Sequence, residues 1–428
     1  MTVTKGSLPA GLLRETYIQI DLDCIAHNMD LIRQMCGPST RIGAVVKADA
    51  YGHGALGIAD TLLQNGADLL CVAVLSEAVE LKQQDLRYPV LIMGLTMPQL
   101  FPYLLQYDII QTVDTLAQAE ALDALAARIG KKARIHIKVD TGFHRLGFAP
   151  SEQAIEEIAS ICRMDHLLVE GIFTHLALLD DASNEQQSSL FIQVRDALQG
   201  LGIHIPCWHI ADSIASVDYP AYRMDMIRAG AIIYGLKGFH KGRLDIRQAL
   251  TFKTRISHIT QVRAGEGVGY DFTWRADRDT RIATLPFGYA DGYPRSLAHK
   301  GQVTLHGKRV PIVGIICMDQ CMIDLSQVPE ARLGDEVVIY GDGADGTLSI
   351  QEIAQLTGTN KNDIVSRLTR RPPRVYVRGG QVIAVQDGAG RLQRCTPGTS
   401  MGSAAGYPDP SAFQERAYDD KEDEHVDL

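Results

Sequence analysis

The chain has 428 residues, 46% hydrophobic and 22% charged. That excludes wholesale disorder and allows two or three domains that bury a core without disulfide or metal staples. Lys and Arg number 42 against 51 Asp and Glu, a formal net charge of −9, so no basic surplus exists to make nucleic acid the main partner.

The N-terminal MTVTKGSLPAGLLRETY carries no signal-peptide apolar core, and no apolar run reaches the length of a membrane span. A cytoplasmic protein without a membrane partner is expected. Residues 1–16 read as an N-terminal extension. YIQIDL (17–22) is a first strand that can pair with either of two domains. From there to residue 250, short β-like runs alternate with helical patterns. The runs are IGAVVKA (42–48), DLLCVAVL (68–75), PVLIMG (89–94), DIIQTV (108–113), ARIHIKV (133–139), EGIFTHL (170–176), PCWHIA (206–211) and MDMIR (224–228). Between them, DTLAQAEALDALAARIG stops at Gly130 as a helix does. This α/β alternation predicts a (β/α)8 TIM-type barrel over residues 17–250 rather than a doubly wound sheet. Near-continuous apolar runs suit strands buried on both faces.

After residue 250 the texture changes. TFKTRISHITQV, RIATLPF, QVTLHG, RVPIVGIICM, CMIDL and EVVIYG are strand-like and punctuated by Gly, Pro and Asp. They predict a mainly β C-terminal domain over 251–390. Residues 391–428 read as an acidic disordered tail, with eight acids and two bases in 408–428. The eight cysteines are scattered and form no C-x-x-C pair, so reduced thiols are expected rather than a disulfide framework, and no metal centre is expected.

Barrel enzymes keep their sites where strands end at the carboxyl side, and three clusters fall there. In AVVKADAYGHG, Lys47 ends an apolar strand. An apolar wall disfavours its ammonium form and would free the amine for a Schiff base; otherwise the side chain snorkels from the barrel rim. In IKVDTGFHRLGF, Arg145 follows a strand through a glycine turn. Its planar fork suits a substrate carboxylate, or it pairs with Asp140. Lys138 lies inside that strand. His175, at the end of IFTHLA, is either a satisfied core residue or a ring that stacks on a flat cofactor. In HIADSIAS and MDMIRAGAIIYGL, Ser213 follows the seventh strand, Arg228 ends the eighth, and Gly230–Ala231 start a helical turn. Those two loops are the usual phosphate site of this architecture.

A phosphate beside an arginine, across from a strand-end lysine, resembles the fold-type III pyridoxal-phosphate enzymes. The finer resemblance is to the alanine racemase family, over nearly all of residues 17–385. It rests on AVVKADAYGHG, KVDTGFHRLGF, GVGYDF, PFGYADGYPR and GIICMDQCMIDL. The resemblance implies pyridoxal 5'-phosphate as cofactor, held by Lys47 as an internal aldimine. Lys47 would be one of two opposed bases and Tyr270 the other, entering from the partner subunit of a homodimer. Arg145 would bind the substrate carboxylate, assisted by the Met318 backbone N–H. Tyr51, Ser213, Gly230 and Ala231 would hold the phosphate. Arg228 would face the pyridine nitrogen, and His175 would link it to the Tyr270 phenol. Tyr289 and Asp319 would line the entrance. Lys138 matches a position that is often carbamylated and would orient Arg145.

The sequence departs from the commoner pattern at several places. Asp212 replaces the usual Asn before the serine, and Ala229–Gly230–Ala231 replaces Pro-Gly-(Ile/Val). Phe143–His144 fills a variable site. Arg370 is expected where many relatives carry a phosphate-binding tyrosine, so its charge would supply that contact. The implied reaction is racemisation of L- and D-alanine, supplying D-alanine for the cell wall. The alternatives are a serine or broader amino-acid racemase, and a non-catalytic carrier of the cofactor. A carrier of the single-barrel type would lack the β domain and Tyr270, and a decarboxylase would want an acid where Arg228 stands.

Overall fold

The computed structural model describes residues 12–395 except 237 and 240. Most of the expected N-terminal extension, and residues 396–428 of the expected acidic tail, lie outside the described residues; the start of that tail is corrected, because Leu392–Arg394 is a strand paired antiparallel with Gln381–Gln386. In chain order β1 (Tyr17–Asp21) precedes β2 (Arg41–Val45), β3 (Leu69–Val72), β4 (Val90–Ile92), β5 (Ile110–Val113), β6 (Ala133–Lys138), β7 (Leu167–Phe173), β8 (Trp208–His209), β9 (Met226–Ala229) and β10 (Leu250–Arg255).

Strands β2 to β9 form one eight-stranded sheet in the order β8-β7-β6-β5-β4-β3-β2-β9. Every pair in it is parallel. Across the remaining seam Asp225 N–H donates to Trp208 O at 3.1 Å and Arg228 N–H to Ala211 O at 3.0 Å, nearly closing a (β/α)8 barrel. Every residue of β3, β4, β5 and β9 is buried. That is why these strands read as unbroken apolar runs: the barrel interior covers one face and helices cover the other. Val45, Leu69, Cys71, Leu91, Ile110, Cys207 and Met226 form a separate buried apolar cluster. Each large apolar side chain so buried contributes roughly 1.5–3 kcal/mol.

Local signals place the connecting helices. Helix Leu116–Ile129 starts where the Thr115 hydroxyl accepts Gln118 N–H at 3.3 Å and ends at Gly130, φ 65°. A left-handed residue there satisfies the last carbonyls, and glycine takes it without a Cβ penalty.

β1 does not join the barrel. It pairs antiparallel with β10 and parallel with the strand Arg374–Arg378, inside the eleven-stranded sheet of the C-terminal region. That sheet meets the barrel at the loop after β2. The Arg374 guanidinium Nε donates to Gly52 O at 3.1 Å and the Tyr376 hydroxyl to Gly54 O at 3.4 Å. A Cβ at Gly54, φ +84°, would overlap the Tyr376 hydroxyl, so the close approach of the two units requires glycine there.

Candidate active site

At the carboxyl ends of the barrel strands lies a cavity of about 430 Å³. Nine of the expected site residues line it together: Lys47, Tyr51, Lys138, Arg145, His175, Ser213, Arg228, Gly230 and Ala231.

The strand expected to carry Lys47 to its end stops at Val45, and Lys47 opens a short helical turn, Lys47–Tyr51. In that turn Ala48, Asp49, Ala50 and Tyr51 are left-handed, with φ between 52° and 54°. Left-handed backbone costs an L-residue roughly 1–2 kcal/mol, so four in a row persist only where surroundings over-determine them. Here they do. Ala48 N–H donates to Glu77 Oε1 at 2.6 Å, and Asp49 Oδ1 accepts Ala55 N–H at 2.9 Å. The fully buried His53 donates from Nδ1 to Ala50 O at 3.0 Å and Tyr51 O at 2.9 Å. The Lys47 amine opens onto the cavity. Crowding by protein atoms, then the charges of Arg145 and Arg228, lower its pKa from the ordinary lysine value. The turn thus presents an amine with an enlarged neutral fraction, the form that condenses with an aldehyde.

Arg228 is buried at the cavity floor. Its guanidinium donates to His209 Nδ1 at 2.9 Å, His175 Nδ1 at 3.3 Å, Thr174 O at 2.8 Å and Ile210 O at 2.9 Å. Burial pushes its pKa down to about 10, which leaves it charged near neutrality. His175 is pushed down to about 3, by burial first and then by Arg228. It is neutral, accepts from Arg228 on Nδ1, and therefore carries its proton on Nε2.

Asp140 does not pair with Arg145. Its Oδ1 accepts the N–H groups of Gly142, Phe143 and His144, each at 3.0 Å, and so folds the glycine turn. Arg145 lies over the Phe143 ring at 4.3 Å and meets no carboxylate among the described residues. Its fork is free for an anionic ligand. Lys138 is buried and donates to Val139 O at 2.6 Å and Leu146 O at 3.2 Å. Burial, then Arg228, pushes it down to about 8.

At the Tyr51 end, Ser213 Oγ accepts Gly230 N–H at 2.8 Å. A Cβ at Gly230 would sit 2.9 Å from the Tyr51 hydroxyl. Glycine therefore leaves a small space bordered by two hydroxyls and a turn of backbone. Asp212 caps the helix Ser213–Asp218, accepting Ile214 N–H at 3.0 Å and Ala215 N–H at 2.9 Å.

Two family models match the chain: the N-terminal domain of alanine racemase over residues 20–238 and the C-terminal domain over residues 249–376. The chain belongs to the alanine racemase family. Alanine racemase 1 of Clostridium acetobutylicum is 39% identical over 381 residues, 88% of this chain and 98% of that protein. The alanine racemase of Desulforamulus reducens is 41% identical over 367 residues, 84% of this chain and 98% of the relative. Among solved structures, alanine racemase of Clostridium difficile 630 superposes with a TM-score of 0.85 at 32% identity, covering 88% and 99% of the two chains. The Bacillus anthracis enzyme with bound L-Ala-P gives 0.83 at 31% identity, over 88% and 99%.

As an alanine racemase family member the chain is an isomerase, and the family's cofactor is pyridoxal 5'-phosphate. The residues present fit that group. The space kept open by Gly230 lies beside Tyr51 and Ser213, a lowered-pKa amine stands at Lys47, and Arg228 lies in the wall of the same cavity.

Four residues that the family resemblance assigns are not brought to this cavity by the single chain. Tyr270, Met318 and Tyr289 are 66%, 53% and 39% exposed on the C-terminal β region. Asp319 accepts from Arg371 at 2.8 Å. These residues occupy neighbouring loops: Tyr289 N–H donates to Cys317 O and Ala290 N–H to Met318 O. A Cβ on Gly269, just before Tyr270, would lie 3.8 Å from Ile315 N.

The expectation for Arg370 is corrected. Both its contacts at 2.9 Å go to the Glu80 carboxylate, and it does not line the cavity. One nitrogen of the guanidinium, Nη2, meets both oxygens of that carboxylate on the barrel helix Leu75–Gln84, so this end of Arg370 is taken by a protein partner. The C-terminal residue that does line the cavity is Asn362. The sequence reading missed it because a lone Asn in a polar helix, KNDIVS, carries no chemical signal. His209 and Glu77 were also passed over. His209 lies in the strand-like run PCWHIA, but nothing in the sequence joins it to Arg228.

Proposed function

We propose that the chain interconverts L- and D-alanine at this cavity, with Lys47 and Tyr270 as opposed proton carriers. Pyridoxal phosphate, when bound, supplies the electron sink that makes an amino acid's α-proton removable. Lys47 would hold the cofactor and would move a proton at Nζ on one face of the substrate Cα. Arg145 orients the substrate carboxylate with its unpaired fork. Tyr51, Ser213, Gly230 and Ala231 hold the phosphate. Arg228, whose Nη1 and Nη2 are taken by His209, His175, Thr174 and Ile210, would turn its remaining Nε–H toward the ring nitrogen and, because an arginine keeps its proton, would leave that nitrogen unprotonated. Tyr270 serves the other face from a second copy in a homodimer, with His175 Nε2–H directed to its phenol. Met318, Tyr289 and Asp319 come with it. Lys138, whose amine is substantially neutral near its pKa of about 8, takes up CO2 as a carbamate, losing one proton, and steadies Arg145. The product would supply D-alanine for a bacterial wall.

The observation that carries this reading is the convergence of Lys47, the unpaired Arg145, Arg228 and the Gly230 space on one cavity, while the Tyr270–Met318 face stays open to solvent. The test is chiral analysis after incubation in D2O with L-alanine or L-serine. Deuterium should enter Cα as the enantiomers equilibrate. Tyr270→Phe should retain the cofactor and lose nearly all racemisation; full activity in that variant overturns the two-base assignment.

Serine is the second reading, favoured by Asn362, an amide in the cavity wall that can hydrogen-bond a substrate hydroxyl. A hydrophobic pocket alone rejects an added hydroxyl only about a hundredfold. Rates with the two amino acids rank the readings.

A further inference from the structure

Glu77 does not line the cavity and has no place in the reading above. It is the third residue of the helix Leu75–Gln84. Its Oε2 accepts Ala73 N–H at 2.9 Å and Val74 N–H at 3.3 Å, in the loop that enters that helix. A helix-capping glutamate needs no more than this. The second oxygen does something else: it crosses to the preceding strand–helix unit and accepts Ala48 N–H at 2.6 Å. Ala48 follows Lys47 directly and is the first of the four left-handed residues.

We propose that Glu77 is a positioning residue for Lys47, its carboxylate holding the left-handed turn that aims the lysine into the cavity. This rests on the reading of Lys47 as the reactive amine. Each end of the turn is then tied to a different element. Glu77 fixes the entry from the barrel, and Arg374 and His53 fix the exit through Gly52 O, Ala50 O and Tyr51 O. The amide of Ala48 could not be satisfied by the helical pattern, because the residue four before it lies in β2. A carboxylate is the strong acceptor that a strained, functional N–H requires. The charge acts as well. Of the charged groups facing Lys47, Arg145 and Arg228 disfavour its ammonium form, whereas Glu77 and Asp212 favour it.

The test uses the full-length, cofactor-loaded protein and Glu77→Gln, whose amide can accept on one side only. Borohydride reduction and peptide mass first locate the cofactor; a label anywhere but Lys47 overturns the lysine assignment and the proposal with it. With the label on Lys47, Glu77→Gln should lower kcat about tenfold or more with little change in KM, the loss expected for a hydrogen bond to a charged group. Deuterium exchange in the segment 48–52 should rise, and the acid limb of the pH–rate profile should move down as the lysine loses a favourable charge. Glycine adopts left-handed backbone freely, so Ala48→Gly added to Glu77→Gln should restore much of kcat and of the exchange protection. Should Glu77→Gln not fold, Glu77→Asp, charged but one methylene short of Ala48, takes its place with the same kcat and exchange outcomes and an unmoved pH limb. Parental kcat and exchange in either variant, or a loss that Ala48→Gly leaves untouched, overturns the proposal, because a mere helix cap would not respond to residue 48.

Discussion

Arg228 donates to Nδ1 of His209 at 2.9 Å, and that bond fixes a line of proton positions below the cavity. Arginine has no acceptor, so His209 must present a lone pair on Nδ1 and keep its proton on Nε2. His209 Nε2 then donates to His136 Nδ1 at 3.0 Å, which places the His136 proton on Nε2. Burial, then Arg228, holds His209 well below the ordinary histidine pKa, and burial holds His136 down to about 3. The pair is therefore neutral and can only accept from the arginine. His209→Phe removes the acceptor and strands a buried guanidinium N–H. A tenfold or larger loss of kcat is expected, from the 1–3 kcal/mol typical of an unsatisfied buried donor. Steady-state kinetics, with bound cofactor quantified by absorbance, check it.

The neutral buried histidines also make stability depend on pH. For His136 and His53 the folded pKa values, about 3 and about 4, lie below the unfolded value of roughly 6.5. Between those limits the unfolded chain binds more protons. The stabilisation is therefore fully present above pH 6.5 or so and is lost as pH falls toward the folded values. Each such histidine contributes a slope of about 1.4 kcal/mol per pH unit in that window. Urea midpoints measured from pH 7.5 down to pH 5 should fall, and His136→Asn should flatten the fall. A midpoint unchanged across this range contradicts the neutral assignment.

Gly230 offers a test of the phosphate cradle apart from catalysis. Alanine there puts a Cβ 2.9 Å from the Tyr51 hydroxyl, closer than real side-chain contacts allow. Gly230→Ala should weaken cofactor binding by about tenfold or more while leaving the melting temperature of the cofactor-free protein near the parent's. Because a bound ligand raises stability by mass action, the Tm gained on adding cofactor should shrink in the variant. Equal gains would place the phosphate elsewhere.

What the sequence discloses and what it hides follow from range. Buried parallel strands need apolar runs along their own length, so β3, β4 and β5 stand out in LLCVAVL, PVLIMG and DIIQTV. The helix ending at Gly130 is equally local. The pairing of β1 with β10 and with Arg374–Arg378 joins segments hundreds of residues apart, and YIQIDL by itself is compatible with either sheet. The same limit governs the site. Lys47, Arg145 and Arg228 are oddly placed charges at strand ends and are legible as such. The left-handed turn after Lys47 is not, because KADAY has ordinary right-handed helix formers and the groups bonded to its backbone, Glu77, His53 and Arg374, lie outside it. Arg370 shows the reverse case: a charge read toward the cofactor meets Glu80 instead, a partner that no local pattern announces.

The remaining prediction concerns Tyr270, which is 66% exposed. If a second copy brings Tyr270 to the Lys47 cavity, each site takes Lys47 from one chain and Tyr270 from the other. A Lys47→Ala chain and a Tyr270→Phe chain are then each inactive alone. Unfolded together and refolded at equal amounts, they form mixed dimers in about half of the assemblies, each with one intact site, so roughly a quarter of the parental activity should return by two-fold symmetry. Sedimentation before and after mixing reports whether dimers form. Dimers that regain no activity would place the lysine and the tyrosine of each site on the same chain, and activity in either variant alone would remove that residue from the reaction.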